Sequence, residues 1–165
     1  DTFAESFDRV VATRPHELQV GILKRLKGTT IGRHPIVFAP YPPYEALQTE
    51  TLSFTQFQRI KRFARYFDLY YNAGNFELSL PLLWKTRPSA FEAFMALSDT
   101  IWNATGRTHK FSLATLFEYL FHFLIEANIE EPIVIARILK EDYYRLPGRK
   151  ECLELKVTPN SRNAE

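Results

Sequence analysis

The stretch SLATLFEYLFHFLIEANI, residues 112–129, limits what this chain can fold into more than any other. Ser112 is placed to cap a helix, Phe111 and Leu116 form its hydrophobic staple, and the helix that follows is apolar over most of its circumference. Such a helix needs neighbours on several sides. It is expected to be the central, most buried helix of a bundle.

The chain supplies those neighbours. Ser53 with Gln56 forms a capping box and Leu52 can staple onto Phe57, opening a helix predicted to run to about Asn72. Its apolar stripe is Phe57, Ile60, Ala64, Phe67 and Tyr71, while Arg59, Lys61, Arg62, Arg65 and Asp68 cover the rest, and NAGN ends it. Pro81 breaks FELSLPLLWK into a short helix. Ser89 with Glu92 opens the next helix, which carries Phe91, Phe94, Met95, Ile101 and Trp102 and stops at Gly106. Pro132 suits the first turn of the last helix, closed by Pro147 and Gly148. The fold class is therefore mainly α, a bundle of about five helices over residues 53–147.

The first fifty residues read differently. Thr2 and Glu5 form a capping box for a short helix with Phe3, Phe7, Val10 and Val11 on one side, stopped before Pro15. LQVGIL, residues 18–23, then reads as a buried strand running into a basic turn. Its backbone needs a partner, either a hairpin with Ile36, Val37 and Phe38 or a second copy across a dimer edge. Prolines 35, 40, 42 and 43 impose extended backbone, a linker or clamp over residues 32–52. The expected organisation is a helix–strand unit at 1–31, this clamp, a helical domain at 53–150 and a tail at 151–165.

Composition narrows the function classes. A net charge of +2 is too small to announce a nucleic-acid protein, although LKRLK and RIKRFAR are locally basic. Fourteen Phe and eight Tyr imply a large core, or a core plus an apolar surface that faces something else. The lone Cys152 reads as a structural thiol and builds no disulfide or multi-cysteine metal site, which fits a reducing compartment. With no run of about 18 apolar residues and no signal-peptide pattern at the start, a cytoplasmic location is expected and no membrane span.

Three constellations are candidates for chemistry. Glu118, His122 and Glu126 stand four apart on one helix face, at the spacing of metal ligands, and would serve a metal-dependent hydrolase. A wet stripe on an apolar helix explains the same residues, and no metal is assigned. Arg107, His109 and Lys110 precede a helix N-terminus, a setting for anion binding or a solvated turn. Tyr41 and Tyr44 sit on a proline frame that straps a core or offers a lid. A helical module binding protein or nucleic acid through Arg59, Arg62 and Arg65 is the alternative of a different class, with nucleic acid disfavoured by the low net charge. No phosphate loop, nucleotide-binding glycine signature or serine elbow is present.

The segment TFAESFDRVVATRPHELQVGILKRLKGTTI resembles the last helix and strand of a radical S-adenosylmethionine barrel of the cobalamin-binding branch. FAPYPPYEALQTETLSFTQFQRIKRFARYFDLYYNAGNF is similar to the helical C-terminal domain of unknown function that follows such barrels. The resemblance implies a non-catalytic accessory domain packed on its own N-terminal barrel, with Ile22 and Leu23 near the adenine of S-adenosylmethionine. It implies a parent enzyme with a four-iron cluster, S-adenosylmethionine and cobalamin. The Cys-x-x-x-Cys-x-x-Cys that holds the cluster is absent, so this chain is expected to be a C-terminal fragment with no cofactor of its own. A homodimer through the strand or the aromatic surface is the other expected association.

Overall fold

The computed structural model describes residues 2–149 and 152–156. Six α-helices carry the fold: α1 Phe3–Ala12, α2 Phe54–Phe67, α3 Leu80–Trp84, α4 Ala90–Thr105, α5 Leu113–Glu126 and α6 Pro132–Arg145. The local signals act where they were expected. Thr2 and Ser53 form capping boxes with Glu5 and Gln56, and Ser89 and Ser112 each accept an amide of the following turn. Gly106 ends α4 at φ 62°, a left-handed conformation that a side chain would strain.

The hub is α4, not α5. It packs against α1, α2, α3 and α5, whereas α5 leans on α4 and α6 and leaves Glu118, His122 and Glu126 exposed. Six residues of α4 are buried, among them Ala93 and Ser98, whose small side chains let neighbours approach closely. The apolar girth of α5 decided less than the number of helices each surface could accept.

On α2 the buried face is also wider than the predicted stripe. Phe63 and Tyr66 join Phe57 and Phe67 inside, while Ile60, Ala64 and Tyr71 are half-buried. Aromatic rings fill the centre: Phe63 meets Phe7, Phe67, Phe91 and Phe94 at 5.0–5.9 Å between centroids, in edge, tilted and stacked geometries. The phenylalanine excess is therefore largely core.

The N-terminal helix belongs to that core. Phe7 and Val11 are buried in the same cluster as α2 and α4, and the Asp8 carboxylate accepts the Phe91 amide at 2.7 Å at the start of α4. Residues 18–23 form no regular strand, which corrects the expected hairpin. They are extended, with Leu18, Val20 and Ile22 half-buried and Gln19, Gly21 and Leu23 exposed, the alternation of a strand without its ladder. Only the far end pairs. Lys24 bridges Glu45 antiparallel, with Arg25 donating to the Tyr44 carbonyl at 3.0 Å and Ala46 donating to Leu23 at 2.8 Å. Val37–Phe38 (β1) pairs with Ala46–Gln48 (β2), so β2 lies between the two segments expected to pair with each other.

Of the expected tail, residues 152–156 return to the bundle and bury Leu153, while TPNSRNAE lies outside the described residues.

Candidate functional site

The last turn of α2 continues as a π-turn, Asp68–Asn72, in which Ala73 donates to the Asp68 carbonyl five residues back at 3.1 Å. Its three consecutive polar side chains are all used. The fully buried Tyr70 hydroxyl donates to the Leu116 carbonyl of α5 at 2.7 Å, and burial pushes its phenol well above the ordinary range. Tyr71 donates to the Pro15 carbonyl, and its phenol is likewise raised by burial. Asn72 accepts the Leu18 amide at 3.0 Å and donates to the Leu18 carbonyl at 3.1 Å, so one side chain imitates a neighbouring strand. The helical domain thus grips the backbone of residues 15–18 from one side.

Beyond that grip the segment is open. Among the described residues, no backbone N–H or C=O of residues 19–22 has a hydrogen-bond partner. Past it, five large apolar side chains stand exposed between residues 23 and 44: Leu23, Leu26, Val37, Tyr41 and Tyr44. No acidic residue occurs between Glu17 and Glu45, while Lys24, Arg25, Lys27 and Arg33 do. Arg25 lies 5.9 Å from the Phe38 ring and 5.8 Å from that of Tyr44. Unpaired backbone, exposed apolar side chains and one sign of charge share this lobe.

The predicted site residues are dispersed. Ile22 is half-buried and Leu23 exposed at the end of the open segment. Arg107 rests over the Phe111 ring at 5.1 Å, and its carbonyl accepts from Tyr66 at 2.7 Å; His109 and Lys110 are exposed beside it. Of the amides in the first turn of α5, that of Thr115 is already taken by the Ser112 hydroxyl at 3.1 Å. Glu118 and His122 line a pocket of about 240 Å³ with Glu154 and Lys156, and the Lys156 ammonium stands 3.6 Å from the Glu154 carboxylate. Among the described residues no three His, Cys, Asp or Glu side chains are grouped to hold an ion. The basic face of α2 is engaged internally: Arg59 forks onto Asp99, which raises its pKa through that hydrogen bond, Arg62 lies over Trp102 at 4.6 Å, and Arg65 pairs with Asp68 at 2.9 Å. Cys152 is exposed. Tyr71 and Asn72 carry the most direct interaction with the N-terminal segment, and sequence reasoning missed that role; the signal was the polar Asn at the end of an apolar stripe.

Fold and edge together define a class: a helical domain that carries an extended, half-paired segment on its surface. Residues 32–163 match the family described as protein of unknown function (DUF4080), and the chain belongs to that family. No curated protein and no solved structure matches it. No helix among the described residues is long and apolar enough to cross a membrane.

Proposed function

We propose that this chain is a non-catalytic accessory domain that docks onto an α/β body, the barrel of a cobalamin-dependent radical S-adenosylmethionine enzyme, and holds the last helix and strand of that body in place. The observation that carries the reading is the open backbone of residues 19–22. A segment with strand-like alternation, gripped at one end by Asn72 and paired at the other through Lys24, has four residues between whose donors and acceptors face no protein partner. Alternate residues of a strand turn N–H and C=O to opposite edges, so strands on both sides, as in a closed barrel, are the partners that would satisfy all of them. The exposed, acid-free lobe at 23–44 extends the same face and fits an acidic, partly apolar surface.

Alone, the chain offers nothing to hold a four-iron cluster, since its single cysteine is Cys152. In this reading the cluster, S-adenosylmethionine and cobalamin are bound by the body, and the chain contributes Ile22 and Leu23 at the strand's end. The domain's work is positional: it fixes where that strand starts.

Hydrogen exchange tests this. In the 165-residue chain the amides of residues 19–22 should exchange within a factor of about ten of the free-peptide rate. In a longer polypeptide that carries an N-terminal cysteine triad and this chain, they should be protected by at least about a hundredfold. Equal exchange in both, or undiminished turnover of the longer enzyme after removal of residues 53–150, would refute the reading.

A further inference from the structure

A groove of about 990 Å³ runs between the C-terminal end of α1, the loop after the π-turn and α3, beside the Tyr71–Pro15 hydrogen bond. Its size suits one small molecule. Its floor is apolar, with Val11 and Leu80 buried and Trp84 half-buried beside Pro81. Tyr71 adds a ring whose hydroxyl is turned to Pro15 and one face of which stacks on Phe67 at 4.8 Å.

The charges around the groove are not equivalent. Asp8 already accepts the Phe91 amide, and Glu77 pairs with Arg145 at 3.0 Å. Arg14 and His16 also line the groove, and among the described residues neither side chain has a hydrogen-bond or ion-pair partner, although the Arg14 amide donates to the Val11 carbonyl at 2.9 Å. Arg14 also occupies a backbone position at φ 52°, just past the end of α1, where glycine is the ordinary residue. Among these lining residues the unengaged charge is therefore that of Arg14, two residues past the end of α1. Asp8 lies on α1 four residues before its last residue, Ala12, about 6 Å along the helix, and disfavours a second anion beside itself.

We propose that this groove binds a free amphipathic anion, its apolar body against Trp84, Leu80 and Val11 and its carboxylate or equivalent acid at Arg14 and His16. The proposal stands independently of the docking function above. An anion meets two unpaired donors, while a neutral molecule of the same shape meets only the floor.

The test uses the whole chain, decanoate as probe and decan-1-ol as its neutral counterpart, read by the two tryptophan indole N–H signals in two-dimensional NMR. Decanoate should shift the Trp84 signal saturably and leave that of Trp102 in place, with decan-1-ol about tenfold weaker. Arg14→Gly removes the guanidinium at a backbone angle that glycine accepts freely, so it should fold at least as stably and bind decanoate about tenfold more weakly. Trp84→Phe assigns the signal. Equal affinity for acid and alcohol, Trp102 moving in step with Trp84, no Trp84 shift, or unchanged binding in a folded Arg14→Gly variant would each overturn the proposal.

Discussion

Asp142 is 1% exposed, in the last turn of α6, and its carboxylate holds the start of a different helix. One oxygen accepts Leu78 N–H at 3.0 Å, the other accepts Ser79 N–H at 2.8 Å and the Ser79 hydroxyl at 2.7 Å, and the Arg145 Nε stands 3.7 Å away. Ser79 is the N-cap of α3 yet makes no cap of its own. The capping carboxylate comes from α6. Hydrogen bonds to a charged acceptor are worth about 1.5–3 kcal/mol each, and removing one member of a buried charged network costs about 3–5 kcal/mol because the other members stay buried.

Asp142→Ala should therefore destabilise by about 3–5 kcal/mol. Asp142→Asn keeps the shape and one acceptor oxygen, but turns an NH₂ toward either Leu78 or Ser79, for a loss of about 2–4 kcal/mol. With a urea slope of about 2 kcal/mol per M, the alanine variant's midpoint falls by about 2 M at unchanged slope, and its Tm by about 6–20 °C. Glu77→Ala, a change at a 71% exposed side chain nearby, should move neither by more than about 0.5 kcal/mol. Far-UV circular dichroism during urea titration measures all three. A loss under about 1 kcal/mol for Asp142→Ala, or an asparagine variant as stable as the parent, would show that this network is not what holds α3.

Phe7→Ala should cost about 3–5 kcal/mol, a value for a core ring rather than for an appended helix; unfolding in two separate transitions would contradict the single core. Asn72→Ala leaves the Leu18 amide and carbonyl without partners, so the Leu18 amide should exchange at least about tenfold faster while the amides of α4 keep their protection. For the tyrosines the sign follows from burial. Burial raises the phenols of Tyr70, Tyr66 and Tyr71, so the folded state keeps protons that the unfolded state releases near its ordinary value of 10.0. Their stabilising term is present below about pH 10 and is lost as pH rises through the folded values. Tyr70→Phe should flatten that alkaline decline, measured as the pH dependence of the urea midpoint; an unchanged profile would contradict it.

How much of this was legible in the sequence follows from distance along the chain. Caps and staples involve residues three to five apart, which is why Thr2, Ser53, Ser89 and Ser112 begin helices where their spacing said. Which helix lies at the centre depends on neighbours that no local window contains, and the apolar girth of α5 misled for that reason. The strand at 18–23 was half legible: its alternation survives in burial, but its pairing was decided by β2, whose ALQ carries little strand signal. Asp142 could not have been read at all. Its partners lie 63 and 64 residues away, and an Asp on a charged helix face looks solvated until α3 is set against it.

The π-turn explains why the grip on the N-terminal segment falls where it does. In a regular α-helix continuing from Phe67, Tyr70 and Tyr71 would follow the stripe and Asn72 would point about 100° away from Tyr71 along the helix surface. Inserting the wider turn at Asp68–Asn72 retains Tyr70 in the core and lets Tyr71 and Asn72 reach Pro15 and Leu18. A single turn is a poorer helix than the one it replaces, and it persists because four directed hydrogen bonds, one to α5 and three to residues 15–18, offset it. Those four bonds tie the core and the open segment to one piece of backbone. A neighbouring strand that pairs with residues 19–22 would therefore be registered against α5, through Leu18, Asn72 and Tyr70 in turn.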